Sequence, residues 1–513
     1  YWAGYFQDDW KVSSRLTLNL GLQWSVDTPY TERFNNLSWF DPDALPRSSQ
    51  KLGLPHRGDL VFAEENRRTS DDIFWKQWAP RFGFAYQLRR STVVRGGYGI
   101  YWLGSSATML RTSAPTFFRT RQNYVASLDG GTTPANKVSN PFPTGVTPAP
   151  GRAADWDTQI TSLSGITIRD AHPGYMQNWN LNIQHDLGAG LSLDVAYAGS
   201  KGTGLPGAAN INQLEPRHLA LGSALNAQVA NPYFGYVTTG PLSTPTVSRA
   251  QLLRPYPQFD GLTLGPQNIG SSNYHALQVK AVKRLSSSLV ALAYTFSKTI
   301  DDVDATLTSF SEASGQASTM DFYNLRRDRS VNTFDVPHRL VVSYTLELPW
   351  KDRAGVLGRL VSGWEATGIY TAQSGTPVFL RAANTNNVFA GINRPNTNGR
   401  GARLEGKAQE RLGRWFDTSV FSQPANFTFG NAPRALPDVR IHGINNLDAG
   451  FFKNNRFGGE GRFNLQFRAE FFNAFNRVRF GYPGSQVGQA DFGVVNSQIN
   501  RPRQIQFALK ILF

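Results

Sequence analysis

Seven histidines and one triplet of aspartates are the residues in this 513-residue chain best suited to chemistry. The histidines (His56, His172, His185, His218, His275, His338 and His442) are dispersed. None has the close pairing on a helix face that holds zinc. Cysteine is absent, so neither a disulfide framework nor a thiolate metal site exists. There is no Gly-x-Ser-x-Gly elbow and no phosphate loop. Asp301, Asp302 and Asp304 carry the hard oxygen ligands that calcium takes, but no complete ligand loop follows them. A solvated start of a loop is the better account of them, and they stand only as weak calcium candidates. The residues therefore predict no enzyme, no cofactor and no established metal site.

The elements that would position any such group are strands. The chain has 34 Phe, 18 Tyr, 12 Trp, 48 Gly and 29 Pro but only 3 Met, a balance suited to strands and turns. Between Arg462 and Phe472, Phe463, Leu465, Phe467, Ala469 and Phe471 alternate with Asn464, Gln466, Arg468 and Glu470. Successive side chains of a strand point to opposite faces, so this segment has one apolar face and one polar face. Leu16 to Trp24, Phe82 to Leu88, Trp179 to Ile183, Leu340 to Leu346 and Ile505 to Phe513 repeat the pattern.

The alternation predicts about 13 strands, at 1–9, 16–26, 76–88, 92–103, 175–187, 191–200, 273–285, 288–298, 336–348, 362–374, 443–454, 462–474 and 501–513. Most reach the roughly 9–11 residues that a tilted strand needs to cross a bilayer. Soluble strands are shorter, about 5–6 residues. Short turns (for example Lys11–Arg15, Arg89–Ser91 and Gly188–Gly190, with a longer exception at Pro349–Val361) alternate with long connections at 27–75, 104–174, 201–272, 299–335, 375–442 and 475–500. That asymmetry predicts an all-β, antiparallel outer-membrane barrel with its long loops outside. Trp2, Trp10, Trp24, Tyr98, Trp102, Trp179, Tyr197 and Trp364 lie near strand ends, at headgroup level. No run of 18 apolar residues offers a membrane-spanning helix.

With this topology Asn19, Gln23, Asn180, Asn182, Gln184, Gln466, Arg468 and Glu470 are expected to face the lumen. Residues 216–229 read as a short loop helix with Leu221, Leu225 and Val229 on one stripe. The net charge of +15 fits scattered loop cations, phosphate-rich lipid headgroups or an anionic ligand. No basic cluster carries a nucleic-acid recognition motif. The first and last strands both run inward, which needs an odd count, whereas single-chain bacterial barrels have even counts. The expectation is a partial barrel domain over 1–513, preceded by strands and an export signal that lie upstream.

Several stretches in order resemble the TonB-dependent receptors of the Oar-like, acidobacterial type. They include FQDDWKVSSRLTLNLGLQW from Phe6, WNLNIQHDL from Trp179, LDVAYAGSKGTGL from Leu193, YHALQVKAVKRL from Tyr274 and AYTFSKTIDD from Ala293. FDVPHRLVVSY from Phe334, SGTPV from Ser374, LQFRAEFFNAFNR from Leu465 and PRQIQFALKILF from Pro502 continue the series. The resemblance implies a 22-strand barrel behind an N-terminal plug, with this chain supplying the C-terminal portion. It also implies contact with the TonB complex through that plug, and uptake of a ligand too large for porins. Phe513 resembles the terminal signal read by the outer-membrane insertion machinery, and outer-membrane lipid and lipopolysaccharide would surround the strands. Two other readings stand beside it: a passive porin or adhesin barrel, and a soluble secreted β-rich binding protein. The ligand is not legible in the residues.

Overall fold

A computed structural model describes all residues except 104–122, 147, 149–161, 167–171, 239, 304–318, 350–355, 385–392 and 458–462. Thirteen long strands pair in chain order into one antiparallel path. They are β1 (Trp2–Lys11), β2 (Leu16–Val26), β3 (Gln77–Arg89), β4 (Thr92–Trp102), β5 (Tyr175–Gly188), β6 (Leu191–Asn210) and β7 (Gly261–Arg284). β8 (Leu289–Asp301), β9 (His338–Glu347), β10 (Trp364–Gln373), β11 (Ile444–Phe457), β12 (Phe463–Phe472) and β13 (Gln504–Leu512) complete it. Ser162–Ile166 adds a parallel ladder to β7, and Ser330–Val331 a short antiparallel one to β8. β1 and β13 each pair with a single neighbour, so the sheet is open at both.

Two strands run well past their alternating segments. β6 has 20 residues and β7 has 24. At about 3.3 Å per residue, β7 is more than twice as long as the ~30 Å hydrocarbon layer is thick. The extra length pairs β6 with β7 through shifts of register between Leu264 and Gln267 and again around Gly270. Apolar alternation stops where lipid stops, while backbone pairing continues into water. Sequence periodicity therefore marks the span and misses the protrusion.

The turn at Gly188–Ala189–Gly190 is a short connection whose backbone requires glycine. All three residues have positive φ, at 80°, 50° and 75°. A Cβ on Gly190 would lie 2.4 Å from the Arg284 carbonyl oxygen, so both conformation and space select glycine there.

The buried core is in the loops. Among the described side chains of the thirteen strands the buried apolar residues are Val26, Ala79, Leu262, Ala276 and Ala469, and large apolar side chains such as Leu181, Phe296 and Phe507 are exposed. The connections between strands, by contrast, hold Trp415, Phe416, Phe421, Leu436 and Ile441 in one cluster, and Phe40, Leu60, Ile211 and Phe259 in another. The stretches that read as long polar connections thus form a packed cap. The expected helix at 216–229 is instead a 3-10 segment over Pro216–Asn226, broken at Gly222 with φ 54°. Leu225 is buried while Leu221 stays exposed, so the expected stripe is not formed.

Candidate functional site

Strand register separates two faces across the whole sheet. One row runs Leu18, Phe84, Gly96, Leu181, Tyr197, Leu277, Phe296 and His338, each residue opposite the next. The adjacent row runs Asn19, Gly83, Gly97, Asn180, Ala198, Ala276 and Ser297. Partners in an antiparallel ladder point to the same side, so the polar row keeps one side through six strand pairs. Carried on to β12, the register puts Gln466 opposite Asn454 and Lys510, Arg468 opposite Phe452 and Ala508, and Glu470 opposite Gly450 and Gln506, on that same side. By register the eight polar residues expected to face the lumen lie on one side of the sheet.

They fall into two patches. On β1 to β6, Asn19 donates to Asp9 at 2.5 Å, Arg81 donates to Gln23 at 2.7 Å, and Asn182 donates to Asp194. Gly83 and Gly97 leave room beside Asn19 and Asn180, which line a cavity of about 270 Å³ with Arg81 and Tyr101. Arg81 lies 4.9 Å from the Tyr101 ring centroid. On β12, Arg468 pairs with Glu470 at 2.8 Å and lies 4.5 Å from the Phe452 ring centroid, while Gln466 donates to Asn454 at 3.0 Å. The surface is wet, charged and hydrogen-bonded, suited to contacting a polar solute.

The opposite face carries the aromatic girdle. The Trp24 and Trp75 rings stack at 6.1 Å, Trp24 donates to the Trp75 carbonyl, and Trp102 donates to the Trp78 carbonyl. Three histidines are satisfied there by neighbours: His185 with Thr92, His275 with Tyr197 and His338 with Tyr294, each at 2.8 Å. They act as tethered aromatic residues, two of them held by tyrosine hydroxyls and one by a threonine hydroxyl. Phe513 continues the lipid-side alternation of β13 and is exposed.

Three ion pairs tie the long connection before β11 to the end of β8 and to the connection that follows it. Arg434 meets Asp301, Arg394 meets Asp328, and Arg440 meets Asp335 at 2.6 Å. Arg434 also donates to the Asp328 carbonyl at 2.9 Å, joining the first two pairs. Asp301 additionally accepts from Asn332, and Asp302 accepts from the Ser271 amide and hydroxyl, both at 2.6 Å. Two of the three aspartates considered as calcium ligands are therefore engaged by protein donors, and Asp304 lies outside the described residues. Among the described residues no group of three or more His, Asp or Glu side chains is placed to hold a metal. Sequence reasoning missed Arg394, Arg434 and Arg440, because lone arginines in Gly- and Asn-rich loops carry no pattern.

A family profile described as outer membrane beta barrel domain matches residues 1–506. No curated protein sequence matches the chain. Among solved structures, the outer membrane transporter YddB from Escherichia coli is 9% identical, with a TM-score of 0.44, covering 99% of this chain and 44% of that one. The pyoverdine outer membrane receptor FpvA from Pseudomonas aeruginosa is 10% identical, with a TM-score of 0.41, covering 99% and 41%. The siderophore receptor PirA from Acinetobacter baumannii is 7% identical, with a TM-score of 0.37, covering 93% and 41%. This chain thus spans less than half the length of each. Its location is the outer membrane of a Gram-negative-type bacterium. Two-faced strands of membrane-crossing length and a family match over nearly the whole chain agree: this chain belongs to the outer membrane β-barrel domain family.

Proposed function

We propose that this chain is the C-terminal barrel portion of a TonB-dependent transporter that takes up a ligand too large for porins. The observation that carries the reading is the continuous polar face, thirteen strands wide, beneath a cap of long loops with its own packed core. A passive pore needs an open mouth. A transporter needs a structured outer surface that selects its ligand and a wide lumen closed by a plug, as in 22-stranded barrels. The Oar-like segments support the same reading.

On this reading Asn19, Gln23, Asn180, Asn182, Gln184, Gln466, Arg468 and Glu470 line the lumen. Outer-membrane lipid and lipopolysaccharide cover the opposite face. The TonB complex engages a plug outside residues 1–513, and Phe513 is read by the insertion machinery. The test is planar-bilayer conductance of the full-length protein. A plugged transporter stays closed until the plug is removed or unfolded by denaturant. Steady ohmic conductance of the untreated protein would replace this reading with the passive porin.

A further inference from the structure

A cavity of about 790 Å³ lies where β11, β12 and β13 meet the long connection 473–503, and neither the Asn19–Asn180 patch nor the ion-paired cap accounts for it. Its size is within the range of small-molecule sites. Ile444, Asn446 and Asp448 of β11 and Phe472 of β12 line it, all on the polar side by register. Three arginines, Arg477, Arg479 and Arg501, are among the residues lining the same space; the Arg477 guanidinium lies 5.5 Å from the Phe475 ring centroid and the Arg479 Nε donates to the His442 carbonyl at 3.5 Å.

The backbone that presents them is tied down. Asn473 donates to the carbonyls of Arg477 and Arg501 at 3.0 and 3.1 Å. Asn500 donates to the Arg477 carbonyl at 2.8 Å and accepts from the Arg479 amide at 2.7 Å. Asp448 is the one carboxylate in the lining, and it accepts from Asn446 at 3.0 Å and from the Asn473 amide at 2.8 Å. One carboxylate stands among three arginines in the lining, so the residues around the cavity carry a surplus of positive charge. His442, also in the lining, accepts from the Phe480 amide at 3.2 Å. Burial and then the nearby Arg479 and Arg411 hold its imidazole below the usual range.

We propose that this cavity binds a small ligand bearing two or more carboxylate or phosphate groups. Planar guanidinium forks match both groups in geometry and charge, and three of them on a fixed frame select a multiply charged solute over a single anion. The inference rests on the transporter reading only in naming the solute as cargo; the site stands on its own residues.

The experiment is calorimetric titration of the full-length protein in detergent micelles with benzene-1,3,5-tricarboxylate, at low and at high salt. Its neutral trimethyl ester is the control. The proposal expects saturable binding of the trianion, weakened by salt, with no binding of the ester. Arg477→Gln and Arg501→Gln should each weaken it several-fold and together at least tenfold, while Arg89→Gln at a short turn leaves it unchanged. Gel mobility with and without boiling checks that each variant is folded, and the single variants carry the test if the double one is not. Absent binding, equal binding of the ester, or a folded Arg477→Gln/Arg501→Gln protein that binds as well as the parent would overturn the site. Because transport is not measured, such a failure leaves the transporter reading standing. An open, conducting pore that still binds the trianion leaves the site standing.

Discussion

Arg434 and Asp301, 133 residues apart in the chain, meet with both side chains almost fully buried, at 1% and 5% exposure. One belongs to the long connection before β11 and the other ends β8, so the pair fastens a loop to the outer end of the sheet. Removing one partner leaves an unpaired charge in a dry site, which costs about 3–5 kcal/mol. Arg434→Ala should therefore loosen the cap while the strands stay paired. Limited proteolysis should cut 375–442 readily in the variant, with the heat-modifiable gel shift retained. Replacing both residues by apolar ones, Arg434→Met with Asp301→Leu, should be milder, because no charge is then stranded.

The two faces of the sheet predict opposite responses to the same substitution. Leu20→Arg and Phe467→Arg put a charge on the lipid side near mid-strand and should each destabilise the barrel by about 2–4 kcal/mol. Asn19→Arg and Gln466→Arg, one residue away, should be tolerated, since their side chains share the polar side. Urea unfolding in lipid vesicles measures the difference, and equal losses from both sets would sink the face assignment.

Loop asymmetry predicts accessibility. A cysteine at Asn398 or Gly130 in the full-length protein should react with a membrane-impermeant maleimide on intact cells. One at Ala189 in the Gly188–Gly190 turn should react only after the outer membrane is opened. Labelling of Ala189→Cys in intact cells would reverse the orientation.

His442 predicts an acid-sensitive join between β11 and the 475–500 connection. Its pKa is held below the ordinary 6.5 by burial and then by Arg479 and Arg411, so the folded protein favours the neutral ring. Above pH 6.5 neither state is protonated and the full contribution is present. As pH falls below 6.5 the unfolded chain takes up a proton that the folded one refuses, and stability declines until the lowered folded value is reached. Protonation also removes the acceptor for the Phe480 amide. Protease resistance of 475–500 should fall with pH over that window in the parent and stay flatter in His442→Gln.

The open edges predict that the thirteen-strand sheet is not self-sufficient. β1 and β13 run in the same direction, so closing them on each other would require a parallel pair. Left unpaired in hydrocarbon, each backbone donor and acceptor costs several kcal/mol. Residues 1–513 refolded alone should aggregate, and supplying the neighbouring strands should rescue insertion. A heat-modifiable, ion-conducting monomer of 1–513 would overturn this expectation.

The alternation of side chains along each strand was enough to locate all thirteen strands and to separate their polar from their apolar positions. Period-two patterning is a local property that lipid on one side and water on the other impose residue by residue. Leu465, Phe467 and Gln466 announce their faces without reference to any partner. It could not reveal that β6 and β7 extend beyond the bilayer, because outside lipid nothing forces the alternation. It also could not reveal the cap. Trp415, Phe416 and Ile441 look like scattered apolar residues in a polar stretch, and Arg434 like a surface cation, until folding brings Asp301 beside it. The aspartates read as calcium ligands show the same limit. A carboxylate's role depends on which donor arrives from a distant segment, and for Asp301 that donor is a guanidinium contributed by another loop. Local chemistry thus determined the strands and their faces, while the burial of charge and the shape of the arginine-lined cavity were decided by contacts between segments far apart in the chain.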